Sequence, residues 1–133
     1  IFTNSLVNLN LLKRHDVTLI GGKFRDLRKD FHGYTAEEAL KSLHFKKCFL
    51  GADAYSAKNG FTTTDFSTAR LNELVLERSE EKYVLMDSSK FFSSSIVSYS
   101  RHVTPDKIIT EAYPDRGYPE TANIDIDILW PGK

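Results

Sequence analysis

The strongest constraint on this chain is a recurring pattern of short apolar runs of strand type, each stopped abruptly by glycine or by small polar residues. Lys82-Tyr83-Val84-Leu85-Met86 stops at Asp87-Ser88-Ser89-Lys90. Asp16-Val17-Thr18-Leu19-Ile20 stops at Gly21-Gly22, and Lys47-Cys48-Phe49-Leu50 at Gly51-Ala52-Asp53. Ile1-Phe2-Thr3 reads as the tail of a strand running into Asn4-Ser5, and Lys107-Ile108-Ile109-Thr110 as a fifth short strand. The runs are nearly continuous in apolar residues, as expected of strands covered on both faces, and such strands need crossover helices between them.

The intervening segments supply those helices. Residues 5–14 read as one. In the next, Thr35 and Glu38 form a capping-box pattern, and Ala36, Ala39, Leu40 and Leu43 follow the i, i+3, i+4, i+7 spacing of a buried face. A third helix, capped by Thr64 or Asp65, runs to about residue 78 with Leu71, Leu74 and Val75 inward. Residues 23–33 read as a charged connection, and 54–64 as a loop or hairpin around Asn59-Gly60. Residues 124–130 alternate strictly, which predicts a half-exposed edge strand or a strand that pairs with another subunit. Strands alternating with helices predict an α/β fold, a three-layer α/β/α arrangement on a mainly parallel sheet. The length of 133 residues fits a single domain spanning 1–133. Ile1 is not a methionine and begins inside a strand, so the chain is expected to be N-terminally truncated.

In a parallel α/β sheet, ligands bind just beyond the carboxyl ends of the strands. The candidate ligand-binding residues are therefore Thr3, Asn4, Gly21, Gly22, Asp53, Asp87 and Lys90. Glycine lets backbone approach a ligand, hydroxyls and an amide read sugar hydroxyls, and Lys90 holds an anion. The set suits a small, polyhydroxylated anion. Each piece also has a plainer reading: Asn4 or Ser5 as a helix cap, Gly21-Gly22 as a turn, Asp53 as a turn bonded to its own backbone, Asp87 and Lys90 as an ion pair. Lys23, Arg25, Arg28 and Lys29 form a basic cluster that could reach a phosphate, but read more readily as a solvated loop.

Other chemistries find little support. Eighteen basic residues balance eighteen acidic ones, which lacks the footprint of a self-sufficient DNA-binding domain. His15, His32, His44 and His102 show no metal spacing, so neither metal nor cofactor is expected; only His32, beside Gly33, is placed near a site. Ser88 and Ser89 have no identifiable base, and no nucleophile elbow or Walker loop is present. The one cysteine, Cys48, excludes an intrachain disulfide and reads as a buried thiol in a reducing compartment. No run approaches the roughly 18 apolar residues of a membrane span, and a cytoplasmic location is expected.

The ordered series Thr3-Asn4-Ser5, Leu19-Ile20-Gly21-Gly22, Phe31-His32-Gly33, Phe49-Leu50-Gly51-Ala52-Asp53, Asn59-Gly60-Phe61-Thr62, Leu85-Met86-Asp87-Ser88-Ser89-Lys90-Phe91 and Lys107-Ile108-Ile109-Thr110 resembles the C-terminal sensor domain of DeoR-family bacterial transcriptional regulators. It covers residues 1 to about 112. The resemblance extends to sugar-phosphate-responsive repressors of the lactose/tagatose or fructose pathway type. It implies the fold of ribose-5-phosphate isomerase and CoA transferases, a phosphorylated-sugar effector and a homo-oligomer. It further implies operator binding through a winged helix-turn-helix domain, and a phosphate loop, both upstream of Ile1. The rival reading is a sugar-phosphate isomerase catalysing aldose–ketose interconversion, because Gly51-Ala52-Asp53 and Asp87-Ser88-Ser89-Lys90 are similar to two of its motifs. The isomerase carries carboxylates where this chain has Leu50 and Ala54. Enediol chemistry needs a placed general base, so the residues favour a sensor without catalysis.

Overall fold

The computed structural model describes residues 1–132. They form two compact units, Ile1–His44 and the remainder from Phe45.

In the first unit, β1 (Phe2–Thr3) is followed by α1 (Leu6–Leu12) and β2 (Thr18–Leu19). The two strands pair in parallel, Thr3 opposite Leu19, and the Ile20 N–H donates to the Thr3 carbonyl at 2.7 Å. Ser5 is the N-cap of α1, its hydroxyl accepting from the Asn8 N–H. The helix is shorter at both ends than the expected 5–14. The charged connection expected over 23–33 is instead an antiparallel hairpin, β3 (Lys23–Arg25) and β4 (Asp30–His32). The Arg25 guanidinium clamps Asp30 across it with two bonds, 2.8 and 2.9 Å, and Lys29 adopts φ 52° in the turn and pairs with Asp26. Charge that reads as loop in the sequence is thus spent on hairpin ion pairs.

The helix α2 (Tyr34–Lys41) buries Ala36 and Leu40 as expected, with Leu43 half-buried and Ala39 exposed. Its N-cap is Gly33, not Thr35, and Glu38 bonds Lys41 at 2.6 Å. The capping-box expectation fails because Tyr34 and Thr35 already lie in the first turn.

In the second unit, β5 (Phe45–Gly51) leads into the hairpin β6 (Ala54–Ser56) and β7 (Gly60–Thr63), then α3 (Phe66–Glu77) and β8 (Ser79–Leu85). Short β9 (Val97–Ser98) pairs with β7, and β10 (Lys107–Ile109) and β11 (Asp127–Leu129) complete the chain. The main sheet runs β11-β10-β8-β5 and every neighbouring pair is parallel. This is the mixed α/β class with a parallel sheet that the strand–helix alternation predicts. The alternating tail forms edge strand β11, bonded to β10. Asp65 caps α3, accepting from the Thr68 N–H at 2.8 Å and the Thr68 hydroxyl at 2.9 Å.

The core lies against one face of this sheet. Val84, Ile108 and Ile128 from neighbouring strands meet Leu76 and Ala69 of α3 and an aromatic set, Tyr55, Phe61, Phe91 and Tyr99. Tyr55 and Phe61 rings approach to 4.7 Å between centroids. The other face is open at Phe49, which is 59% exposed and stacks on Tyr83 at 5.1 Å. The expectation that every strand is buried on both faces therefore does not hold for β5. Cys48 is a buried free thiol whose pKa burial pushes up.

Candidate functional site

The parallel register decides what the strand ends can present. Gly51 lies opposite Leu85, and Leu85 opposite Ile109. Asp53, Asp87 and Glu111 each stand two residues beyond that line, at equivalent positions along the carboxyl edge. The sheet geometry thus brings Asp53 and the Asp87–Lys90 segment to one edge, as the strand pattern predicts.

Each carboxylate there is partly engaged. Asp53 Oδ2 accepts from the Thr63 hydroxyl at 2.9 Å and the Thr64 N–H at 3.0 Å, while the Asp53 N–H donates to the Thr62 carbonyl. Asp53 therefore ties β5 to the far end of β7 rather than closing a turn on its own. Beside it, the Tyr99 hydroxyl donates to the Gly51 carbonyl at 2.7 Å; burial first, and the Asp53 charge second, push its pKa far up.

Asp87 starts a single 3-10 turn, Ser88–Lys90. Its Oδ1 accepts from both the N–H and the hydroxyl of Ser89. Those bonds, the hydroxyl's foremost, hold the Asp87 carboxyl below the usual range, with the Lys90 charge adding to them. Among the described residues, Asp87 Oδ2 and Asp53 Oδ1 have no hydrogen-bond partner, and the Lys90 ammonium has neither a hydrogen-bond nor an ion-pair partner. An ammonium with no bonded partner is available for an anion.

Glu111 is the edge residue that sequence reasoning missed. It accepts from the Ser88 N–H at 2.9 Å, the Ser88 hydroxyl at 2.5 Å and the Thr110 hydroxyl at 2.9 Å. Ser88's bonds are the main reason its pKa falls from 4.5 to about 2. Glu111 thereby fastens the Asp87–Lys90 segment to the end of β10. Nothing local marks it, because Ser88 is 23 residues away and the contact depends on the β8–β10 register.

In the first unit, Thr3 Oγ1 accepts from the Ser5 N–H at 3.1 Å. Asn4 is bonded twice to Phe31: its side-chain amide donates to the Phe31 carbonyl and its own carbonyl accepts from the Phe31 N–H, both at 2.9 Å. Its amide thus holds β4 rather than standing open. Ser5 takes the capping role that the sequence leaves open between the two. Parallel pairing sets Thr3 opposite Leu19, two residues before Gly21, and a Cβ added at Gly21 would meet nothing within 4 Å. Gly22 differs: a Cβ there would lie 2.5 Å from the His32 carbonyl oxygen and 3.2 Å from Ala36 Cβ. The close backbone approach that Gly22 permits is therefore to β4. His32 Nδ1 is buried without a hydrogen-bond partner. Among the described residues no group of His, Cys, Asp and Glu is arranged to hold a metal ion. No helix there is long and apolar enough to cross a membrane.

A parallel sheet whose strands end in an orderly rim of carboxylates, hydroxyls and a lysine defines an α/β domain of the kind that holds small ligands at its carboxyl edge. The chain belongs to the family of DeoR C-terminal sensor domains, whose model matches residues 1–112. It is 40% identical over 88 residues to a putative aga operon transcriptional repressor of Escherichia coli O157:H7, covering 65% of this chain and 33% of that protein. It is 32% identical to the HTH-type transcriptional regulator GlpR of Haloferax volcanii, over 76% of this chain and 40% of the relative. A lactose phosphotransferase system repressor of Lactococcus lactis is 32% identical over 84% of this chain and 44% of its own length. The chain therefore spans less than half the length of these curated relatives.

Proposed function

We propose that this domain binds a phosphorylated sugar at the carboxyl edge of its strands and acts as the effector sensor of a transcriptional repressor, without catalysis of its own. Lys90 neutralises the ligand's negative charge, and Asp53 and Asp87 accept from sugar hydroxyls through Oδ1 and Oδ2 respectively. At the strand ends of the first unit, Thr3, Asn4 and Gly21 are proposed ligand contacts in their own right, and Gly22 shapes the turn that carries Gly21. Membership of the sensor family carries this reading. The relatives named for a lactose phosphotransferase system and an aga operon support a sugar-derived effector.

The absence of catalysis has physical support. An isomerase base needs a pKa near neutrality. Asp87 and Glu111 are shifted the other way, by hydrogen bonds to their ionised forms. The positions where the isomerase motif carries carboxylates are occupied by Leu50, packed against the core, and buried Ala54. In the whole protein, operator binding is assigned to a separate domain. The effector shifts the balance between DNA-binding and released states by no more than its difference in affinity for them. The regulator works as a homo-oligomer in the cytoplasm.

A thermal-shift screen of hexose and pentose phosphates tests the proposal. An effector at 100 times its Kd is expected to add about 2.7 kcal/mol of stability. Lys90→Ala should remove the shift while leaving the unliganded Tm unchanged. No stabilisation by any sugar phosphate, or turnover between aldose and ketose phosphates at enzyme rates, would overturn it.

A further inference from the structure

A cleft of about 380 Å³ opens beside the tip of the β6–β7 hairpin, and neither Asp53, Asp87, Lys90 nor Glu111 lines it. Its walls include Thr104, Asn123 and Asp125, on the connections that enter β10 and β11. The cleft therefore lies toward the amino-terminal edge of the parallel sheet, whereas Asp53, Asp87 and Lys90 lie beyond its carboxyl edge. Its volume is within the usual range for a small-molecule site, and Tyr55 and Phe61 of the core contribute to its lining.

Two cations face this space, Lys58 from the hairpin tip and Arg101 from the segment after β9. Among the described residues neither has a hydrogen-bond or ion-pair partner, although Asp125 lines the same cleft. The tip that carries Lys58 is held rigidly. The Asn59 carbonyl accepts from the Ser98 hydroxyl at 2.9 Å, and the Asn59 side-chain amide donates to Ser94 Oγ at 2.8 Å. The Asn59 N–H donates to Ser56 Oγ, and the Phe61 N–H to Ser100 Oγ at 3.0 Å. Gly60, at φ +68°, lets Ser100 approach to where a Cβ would stand 2.4 Å from its oxygen. Four serines thus fix one wall of the cleft, so little ordering cost opposes a ligand there.

We infer that this cleft is a second binding site of the domain, for a small organic anion bearing at least one hydroxyl group. Lys58 and Arg101 take the phosphate or carboxylate, and Asp125, which repels an anion, accepts from the hydroxyl. Arg101 offers the planar fork that suits a phosphate, and Lys58 a mobile point charge. The site stands independently of the strand-end pocket, and either can fail without the other.

Backbone-amide NMR titration of the chain with inorganic phosphate, then with fructose 6-phosphate, tests the inference. Saturable shifts are expected at Asn59, Gly60, Arg101 and Asp125 with both probes. The variant Lys58→Ala/Arg101→Ala should weaken phosphate binding at those amides by about tenfold or more. Asp125→Asn should tighten inorganic phosphate, since a like charge is removed, but lose the preference for fructose 6-phosphate over it. In Lys90→Ala the cleft amides should titrate as before, whatever becomes of the strand-end response. Lys58, Arg101 and Asp125 are all exposed, and a dispersed spectrum verifies that each variant is folded. Absence of saturable shifts at these four amides, or shifts that persist undiminished in the double variant, would overturn the inference.

Discussion

At the scale of single residues, the carboxyl edge is organised by hydrogen bonds whose donors come from unexpected places. Glu111 has a folded-state pKa of about 2 against an ordinary 4.5, so it is a depressed acid. The stability it contributes is present in full above pH 4.5 and is lost as pH falls through about 2. Glu111→Gln keeps the acceptor shape but removes the charge. The Tm of the variant should lie below that of the parent at pH 6, and the gap should close between pH 4.5 and 2; a gap constant with pH would contradict the linkage. The two adjacent glycines offer a second residue-level test. A methyl group at Gly22 collides with the His32 carbonyl, whereas at Gly21 it enters open space. Gly22→Ala is expected to cost about 1–3 kcal/mol in urea unfolding, the range for a forced steric shift, and Gly21→Ala less than about 0.5. Equal costs would mean that the turn relaxes freely. The sequence presents these glycines as an undifferentiated pair. Only the position of β4 separates their roles.

At the scale of elements, what the sequence reveals depends on how local the cause is. The third helix is legible because its cap, Asp65, and its inward Leu71 and Leu74 lie within a few turns of one another. Asp65→Ala should cost about 1 kcal/mol, the usual value of a lost N-cap, measured by chemical denaturation. Asp65→Asn, which keeps an acceptor for the Thr68 N–H, should recover most of it. The strands ending at Gly51 and at Leu85 are legible because the apolar run and its stop are contiguous. The hairpin at 23–32 is not: its strands are three residues each, and the pairing depends on the Arg25–Asp30 clamp and on Lys29 adopting a left-handed conformation. The capping box at Thr35 misleads because Ser/Thr-x-x-Glu is a pattern of spacing, and Gly33 starts the helix two residues earlier. Of the candidate site, the residues beyond β5 and β8 are placed where the pattern predicts. Asn4 is also at its strand end, but its amide is committed to Phe31, a partner 27 positions away that no local reading identifies.

At the scale of the whole molecule, burial is unevenly divided. Among the described residues, the buried apolar side chains of residues 1–44 are Ile20, Ala36 and Leu40, whereas the second unit holds the continuous cluster from Cys48 to Ile128. Helix α1 buries none of its residues, and its Leu11 is 75% exposed. The strand pair β1–β2 has two residues in each strand, and a ladder that short is marginal without a packed face. The free energy of local opening follows the apolar contacts that opening disrupts. Amides of α1, β1 and β2 should therefore exchange with solvent through low-energy opening, faster than those of β8 and β10, whose Val84 and Ile108 are fully buried. If the strand ends of the first unit take part in effector binding, as proposed for Thr3 and Asn4, the effector should slow exchange in β1 and β2. The comparison is made by hydrogen exchange with and without the stabilising sugar phosphate. If ligand protects only the segment around Lys90 and leaves residues 1–20 as labile as before, Thr3 and Asn4 are structural residues alone, and recognition is confined to the second unit.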